Sequence, residues 1–85
     1  MKLELREGVS AVDTEYGIVL LDQDSGEYWD LNPSAALVVR TLLGGSTPGR
    51  AAQALTDEYA VDADTASRDV EELLGGLREA GLVKG

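Results

Sequence analysis

The reactive inventory of this 85-residue chain is almost wholly carboxylate: 16 Asp and Glu against 7 Lys and Arg, with no Cys and no His. Without thiolate or imidazole it has no side chain of ordinary pKa near 7, no usual zinc ligand set and no activated sulfur nucleophile. Carboxylates alone remain for acid and base work, in a pair such as Asp22 and Asp24. So many acids in so short a chain approach one another by chance, and most form a solvated surface. The chain is expected to be no enzyme and to hold no cofactor or metal.

The formal charge of −9 narrows the partners further. Phosphate backbones are bound by clustered Lys and Arg that release counterions, so nucleic acid and anionic membrane are poor partners and a basic peptide is a good one. No apolar run reaches the roughly 18 residues of a membrane span. The start "MKLELREGVS" lacks the apolar core of a signal peptide. A cytoplasmic location is expected, and the absence of Cys agrees with it. Residues 1–85 are expected to form one small domain that buries roughly 60% of its unfolded surface.

The elements that would position the acids follow from the pattern. "KLEL" near the start offers a short strand, "VSAVDTE" alternates loosely, and "YGIVLLD" (16–22) is an apolar, β-branched run that ends at the turn formers "QDSG". "EYWDL" (27–31) follows, so 16–31 reads as a hairpin. Asn32 then caps a helix with Pro33 at its first position, and Ala35, Val38, Val39 and Leu42 fall on one stripe before Gly44-Gly45. Ser46 or Thr47 with Pro48 starts a second helix, whose face is Ala51, Ala52, Leu55 and Tyr59. Asp62 or Asp64 caps a third, with Val70, Leu73, Leu74 and Leu77 as its stripe and Gly81 as its end. The expected architecture is α+β: a three-stranded antiparallel sheet within about 2–31, followed by helices over about 33–44, 48–59 and 64–80 on one of its faces.

Tyr28 and Trp29 are half the aromatic side chains of a chain with one Trp and three Tyr, and they stand on the last strand. A strand in that position is an edge with a row of unpaired N–H and C=O groups. Charged Glu27 and Asp30 could blunt the edge, and Trp29 with Leu31, which share one strand face, could simply be core. Alternatively, an extended peptide adds a strand there and sets alternate side chains into a pocket. The third helix could supply the far wall, since its wheel puts Asp69, Leu73, Gly76 and Ala80 on one flank, Glu72 beyond, and Leu77 toward the core. Gly75-Gly76 inside that helix costs about 1 kcal/mol per Gly relative to Ala. Either another backbone approaches there or the helix bends.

The stretch "GEYWDLNPSAALVVRTLLGG", with "DADTASRDVEELLGGLREAGLV" after a short middle helix, resembles the PqqD-like precursor-peptide recognition domains. The likeness is greatest to the free-standing recognition proteins of lasso-peptide biosynthesis. It covers nearly the whole chain, and its most specific residues are Gly26, Leu31, Asn32, Ala35 and Ala36. The resemblance implies a winged helix-turn-helix-like fold that binds the leader region of a ribosomally made precursor peptide against the third strand and third helix. It implies a leader with Tyr, Pro and Leu anchors, to which the acidity of this chain adds some Lys. It also implies delivery to a separate leader peptidase, with a cyclase acting afterwards. Carried over by position, the strand is Glu27, Tyr28, Trp29, Asp30 and Leu31; the helix residues Asp69, Glu72, Leu73, Gly76 and Leu77 come from the wheel.

Two rivals carry other functions. A winged helix is also a DNA-binding shape, but here the third helix bears Asp64, Asp69, Glu71, Glu72 and Glu79 against Arg68 and Arg78. Asp24-Ser25 resembles the attachment site of an acyl carrier protein. There the Ser begins a helix, whereas Gly26 and an aromatic strand follow it here.

Overall fold

The computed structural model describes residues 3–84. Lys2, where the expected first strand begins, lies outside them. Three strands form an antiparallel sheet in the order β2-β3-β4, with β2 Val9–Thr14, β3 Gly17–Asp22 and β4 Tyr28–Leu31. The short strand that "KLEL" offered is β1 (Glu4–Leu5), but it pairs in a separate two-stranded sheet with β5 (Val83–Lys84), a strand and a pairing that the sequence pattern did not suggest. Two-residue strands carry almost no periodic signal, and their pairing joins opposite ends of the chain.

The register sets Leu20 between Ala11 and Trp29, and Ile18 between Asp13 and Leu31. Side chains alternate across a strand, so these rows share the inner face; Ile18 and Leu20 are buried while Val19 and Leu21 are less so. The helices α1 (Pro33–Leu43), α2 (Pro48–Tyr59) and α3 (Ala63–Glu79) follow, and α1 packs on β3 and β4. One core joins strands and helices through residues such as Leu20, Val39, Leu42, Val70, Leu74 and Leu82.

The caps account for each helix start. The Asn32 side chain accepts from the Ala35 N–H at 2.9 Å, the Thr47 hydroxyl from Arg50 at 3.1 Å, and the Asp62 carboxylate from Thr65 at 2.8 Å. Choosing Asp62 rather than Asp64 starts α3 one residue before the expected boundary. In α1 the buried small residue is Ala36, with Ala35 only partly buried, because the helix turns a slightly different stripe toward the sheet. At the end of α1 it is Gly45, at φ 96°, that takes the left-handed conformation. Strand β4 begins at Tyr28, so Glu27 belongs to the preceding turn. Tyr59, expected on the packed face of α2, is 43% exposed.

Candidate functional site

Strand β4 is one of the two edges of its sheet, opposite β2, and α3 runs beside it. Between them lies a hollow of about 340 Å³ lined by Trp29 and Leu31 from the strand and by Leu73, Gly76 and Leu77 from the helix. The buried Leu82 lines it from beyond α3, and Glu72 and Asp30 stand exposed at its rim. The hollow is therefore apolar below and acidic above. Leu73 and Glu72 also line a second cleft of about 610 Å³, bounded by Asn32 and Ala35 of the α1 start, Tyr59, Val61 and Asp69. The shared residues make the two one continuous groove.

The structure thus brings together Trp29, Asp30, Leu31, Glu72, Leu73, Gly76 and Leu77, and sets Asp69 in the adjoining cleft. Glu27 and Tyr28 line neither space. The Glu27 carbonyl accepts from the Asp22 N–H at 2.9 Å, and the Tyr28 ring is 64% exposed on the outer sheet face. Asn32, Tyr59, Val61 and Leu82 line the groove without having been singled out in the sequence for that role. For Tyr59 the available signal was a large aromatic in the last turn of a short helix, directly ahead of the Asp62 cap. Leu82 had no local signal, because β5 brings it there.

Trp29 and Leu31 both wall the groove and pack on the core. Because Trp29 is only partly buried, Trp29→Ala should cost about 2 kcal/mol, below the roughly 3 to 5 of a fully buried Trp. The domain is expected to stay folded, with a lower melting temperature and weaker peptide binding in anisotropy titrations. Gly75 and Gly76 have open space around them: a Cβ at either would meet nothing within 4 Å. Among the described residues no backbone from outside the helix approaches a Cβ at either position, and α3 continues unbroken through both.

Arg6 ties the floor of the groove to the sheet. Its Nε donates to the Gly81 carbonyl at 2.6 Å and one terminal nitrogen to Asp22 at 2.9 Å, while its backbone N–H donates to the Leu82 carbonyl. Burial by itself would raise the Asp22 carboxyl, but the Asp24 and Ser25 N–H groups and the Arg6 charge outweigh it and hold Asp22 below its ordinary 3.8. The lowered folded value means that the unfolded chain binds the proton first on acidification. The stabilisation is therefore complete above 3.8 and fades as pH falls through the lower folded value. Melting temperatures of wild type and Asp22→Asn should differ most at neutral pH and converge below that point.

Among the described residues no group of three or more metal-ligating side chains is gathered, and no helix is long and apolar enough to cross a membrane. Ser25 sits in the β3–β4 turn, where its hydroxyl accepts from the Glu27 N–H at 3.2 Å, and begins no helix.

An antiparallel sheet followed by three helices, of which the third flanks the β4 edge, defines a small winged helix-turn-helix-like α+β domain. The chain belongs to the PqqD family, whose model, described as coenzyme PQQ synthesis protein D (PqqD), matches residues 17–83. It is similar to the solved structure of a lasso peptide synthetase B1 complexed with the leader peptide, at 46% identity and a TM-score of 0.92 over 100% of both chains. It is also similar to TbiB1 in complex with the TbiA(beta) leader peptide, at 28% identity and a TM-score of 0.86, covering 100% of this chain and 96% of that one. No curated protein matches the chain.

Proposed function

We propose that this protein is the leader-recognition element of a lasso-peptide pathway. It binds the leader region of a ribosomally made precursor by strand addition to β4, sets alternate leader side chains into the groove beside α3, and delivers the peptide to a separate leader peptidase. The cyclase acts on the product. The chain itself makes and breaks no covalent bond, and the work takes place in the cytoplasm. The observation that carries this reading is the open β4 edge beside a groove with an apolar floor and an acidic rim, in a fold shared over its whole length with a B1 protein complexed with a leader peptide.

The energetics are adequate. About four edge hydrogen bonds at a net ~1 kcal/mol each, with two or three anchors at ~1.5 to 3 kcal/mol each, exceed an association and ordering cost of roughly 4 kcal/mol or more and fit micromolar or tighter binding. The acidic rim speeds encounter with a Lys-bearing leader more than it tightens the complex.

The test is a fluorescence anisotropy titration with the labelled leader peptide of the precursor encoded beside this gene, at two salt concentrations. Saturable binding at micromolar or lower concentration is expected, and absence of binding would reduce the family relationship to a shared fold. Reversing Asp69 and Glu72 together to Lys should weaken binding several-fold at low salt and much less at high salt. Equal affinity of the reversed variant at low salt would show the acids to serve solubility alone.

A further inference from the structure

The helices share the core with the inner face of the sheet, and among the described residues nothing covers the outer one. Val12, Val19 and Asp30 form one cross-strand row of that outer face, and Ser10, Leu21 and Tyr28 form the next. Directly opposed side chains lie within contact distance, so Val12, Val19, Leu21 and Tyr28 make one continuous apolar strip. Its end is Tyr16 in the β2–β3 turn, 78% exposed. Single exposed apolar residues are ordinary, but a contiguous strip with a polar border marks a contact surface. Tyr16 and Pro33 also bound a hollow of about 530 Å³ whose lining includes Val19 and Asp30. Asp30 is the only charged residue of the two rows, it is exposed, and among the described residues no cation pairs with it. The hollow therefore offers a carboxylate and an aromatic ring together. That combination holds a guanidinium or ammonium group, the carboxylate through charge-assisted hydrogen bonds and the ring through its negative face.

Resting on the proposed delivery of the leader, we infer that the outer sheet face is the docking surface for the separate leader peptidase. The peptidase lays an apolar ridge along Val12, Val19, Leu21 and Tyr28 and sets an Arg or Lys into the hollow between Tyr16 and Pro33, against Asp30. Delivery needs a surface that the leader does not occupy. The alternation of the sheet provides one, because Trp29 and Leu31 turn to the groove while Tyr28 and Asp30 turn to the opposite face. A protein seated on the outer face therefore leaves the groove clear. Charge complementarity favours such a partner over a second copy of this chain, whose formal charge is −9. A face-to-face pair of copies sets one Asp30-bearing face against another, and neither of the two rows contains a Lys or Arg to place between them.

The experiment titrates the intact, leader-saturated protein with the leader peptidase encoded beside this gene, by biolayer interferometry at two salt concentrations, and measures leader binding separately by anisotropy. Wild type is compared with Tyr16→Ala and Val12→Lys, both at exposed positions outside the groove. Wild type is expected to bind the peptidase, more weakly at high salt. Each variant should bind it about tenfold more weakly or worse, as loss of a contact aromatic or burial of an unpaired charge requires, while leader affinity changes by less than about twofold. Equal peptidase affinity in the variants, or no peptidase binding by a wild type that holds the leader, would overturn the docking surface and leave the leader-binding function standing. A wild-type dimer in sedimentation that both substitutions abolish would give the face to a second copy and likewise overturn it. Failure of wild type to bind the leader at all would overturn the proposed function, and the docking surface with it.

Discussion

Gly76→Leu is expected to reduce leader affinity by about ten- to a hundredfold while leaving the protein folded and at least as stable as before. The reason is that Gly76 lines the hollow beside Trp29, Leu73 and Leu77, yet a Cβ built on it meets nothing within 4 Å. A leucine there stands in space that an incoming anchor would occupy, and its Cβ meets no other part of the free protein. Displacing one buried anchor removes ~1.5 to 3 kcal/mol, which is one to two factors of ten in affinity. The same change removes a helix-interior glycine and returns about 0.5 to 1 kcal/mol of stability. Gly75→Ala serves as the control. It makes a similar propensity gain but lies on the side of α3 that faces Pro48 of α2, beside Glu71 and Arg78, so its melting temperature should rise with leader binding unchanged. Anisotropy and thermal melts of both variants decide the matter, and a Gly76→Leu protein that bound normally would place the peptide elsewhere.

Gly17→Ala is expected to destabilise the domain by about 3 kcal/mol or more. Gly17 opens β3 at φ 150°, a backbone region that L side chains rarely adopt, and that alone costs of order 1 to 3 kcal/mol. A Cβ there would also collide with the Leu31 carbonyl oxygen and crowd the Asn32 carbonyl carbon. Backbone, not a flexible side chain, would have to move, and the part that moves joins the functional strand to the helix it leads into. Relief by displacing Leu31 would disturb the Asn32 cap of α1 and the wall of the groove together. Denaturant unfolding should therefore show a large loss, and whatever folded protein remains should bind leader weakly. A change within 1 kcal/mol would mean that β4 and Asn32 yield easily.

Much of this molecule was legible because its signals are local. Asn32-Pro33, Ser46 or Thr47 with Pro48, and Asp62 or Asp64 announce helix starts through caps that need only a side chain and a nearby amide, and the fold selected Thr47 and Asp62. The stripe Val70, Leu74 and Leu77 of α3 is buried as its spacing requires. The alternation of Tyr28, Trp29, Asp30 and Leu31 assigned two side chains to each face before any fold was known, and the exposed, partly buried, exposed, partly buried sequence along β4 follows it. What periodicity could not settle was phase at the ends of elements. Ala35 and Ala36 are equivalent to a stripe argument within one residue, and packing against the sheet selected Ala36. Tyr59 fits the face of α2, but that helix ends at Tyr59, and the ring stays partly in solvent at the mouth of the cleft.

The acidity, the lack of any His or Cys, the order of strands and helices and the presence of an aromatic strand just before the first helix were determined by the sequence itself, since composition and short-range periodicity need no partner. The tertiary structure alone decided that β1 pairs with β5, that Leu82 and Tyr59 come to line the groove, and that the Tyr28 ring does not. It also decided which backbone groups of β4 remain free. Hydrogen-bond phase depends on how one strand meets another, and the closing of the groove depends on residues more than 40 positions apart packing on a common core; neither quantity exists until the chain has folded.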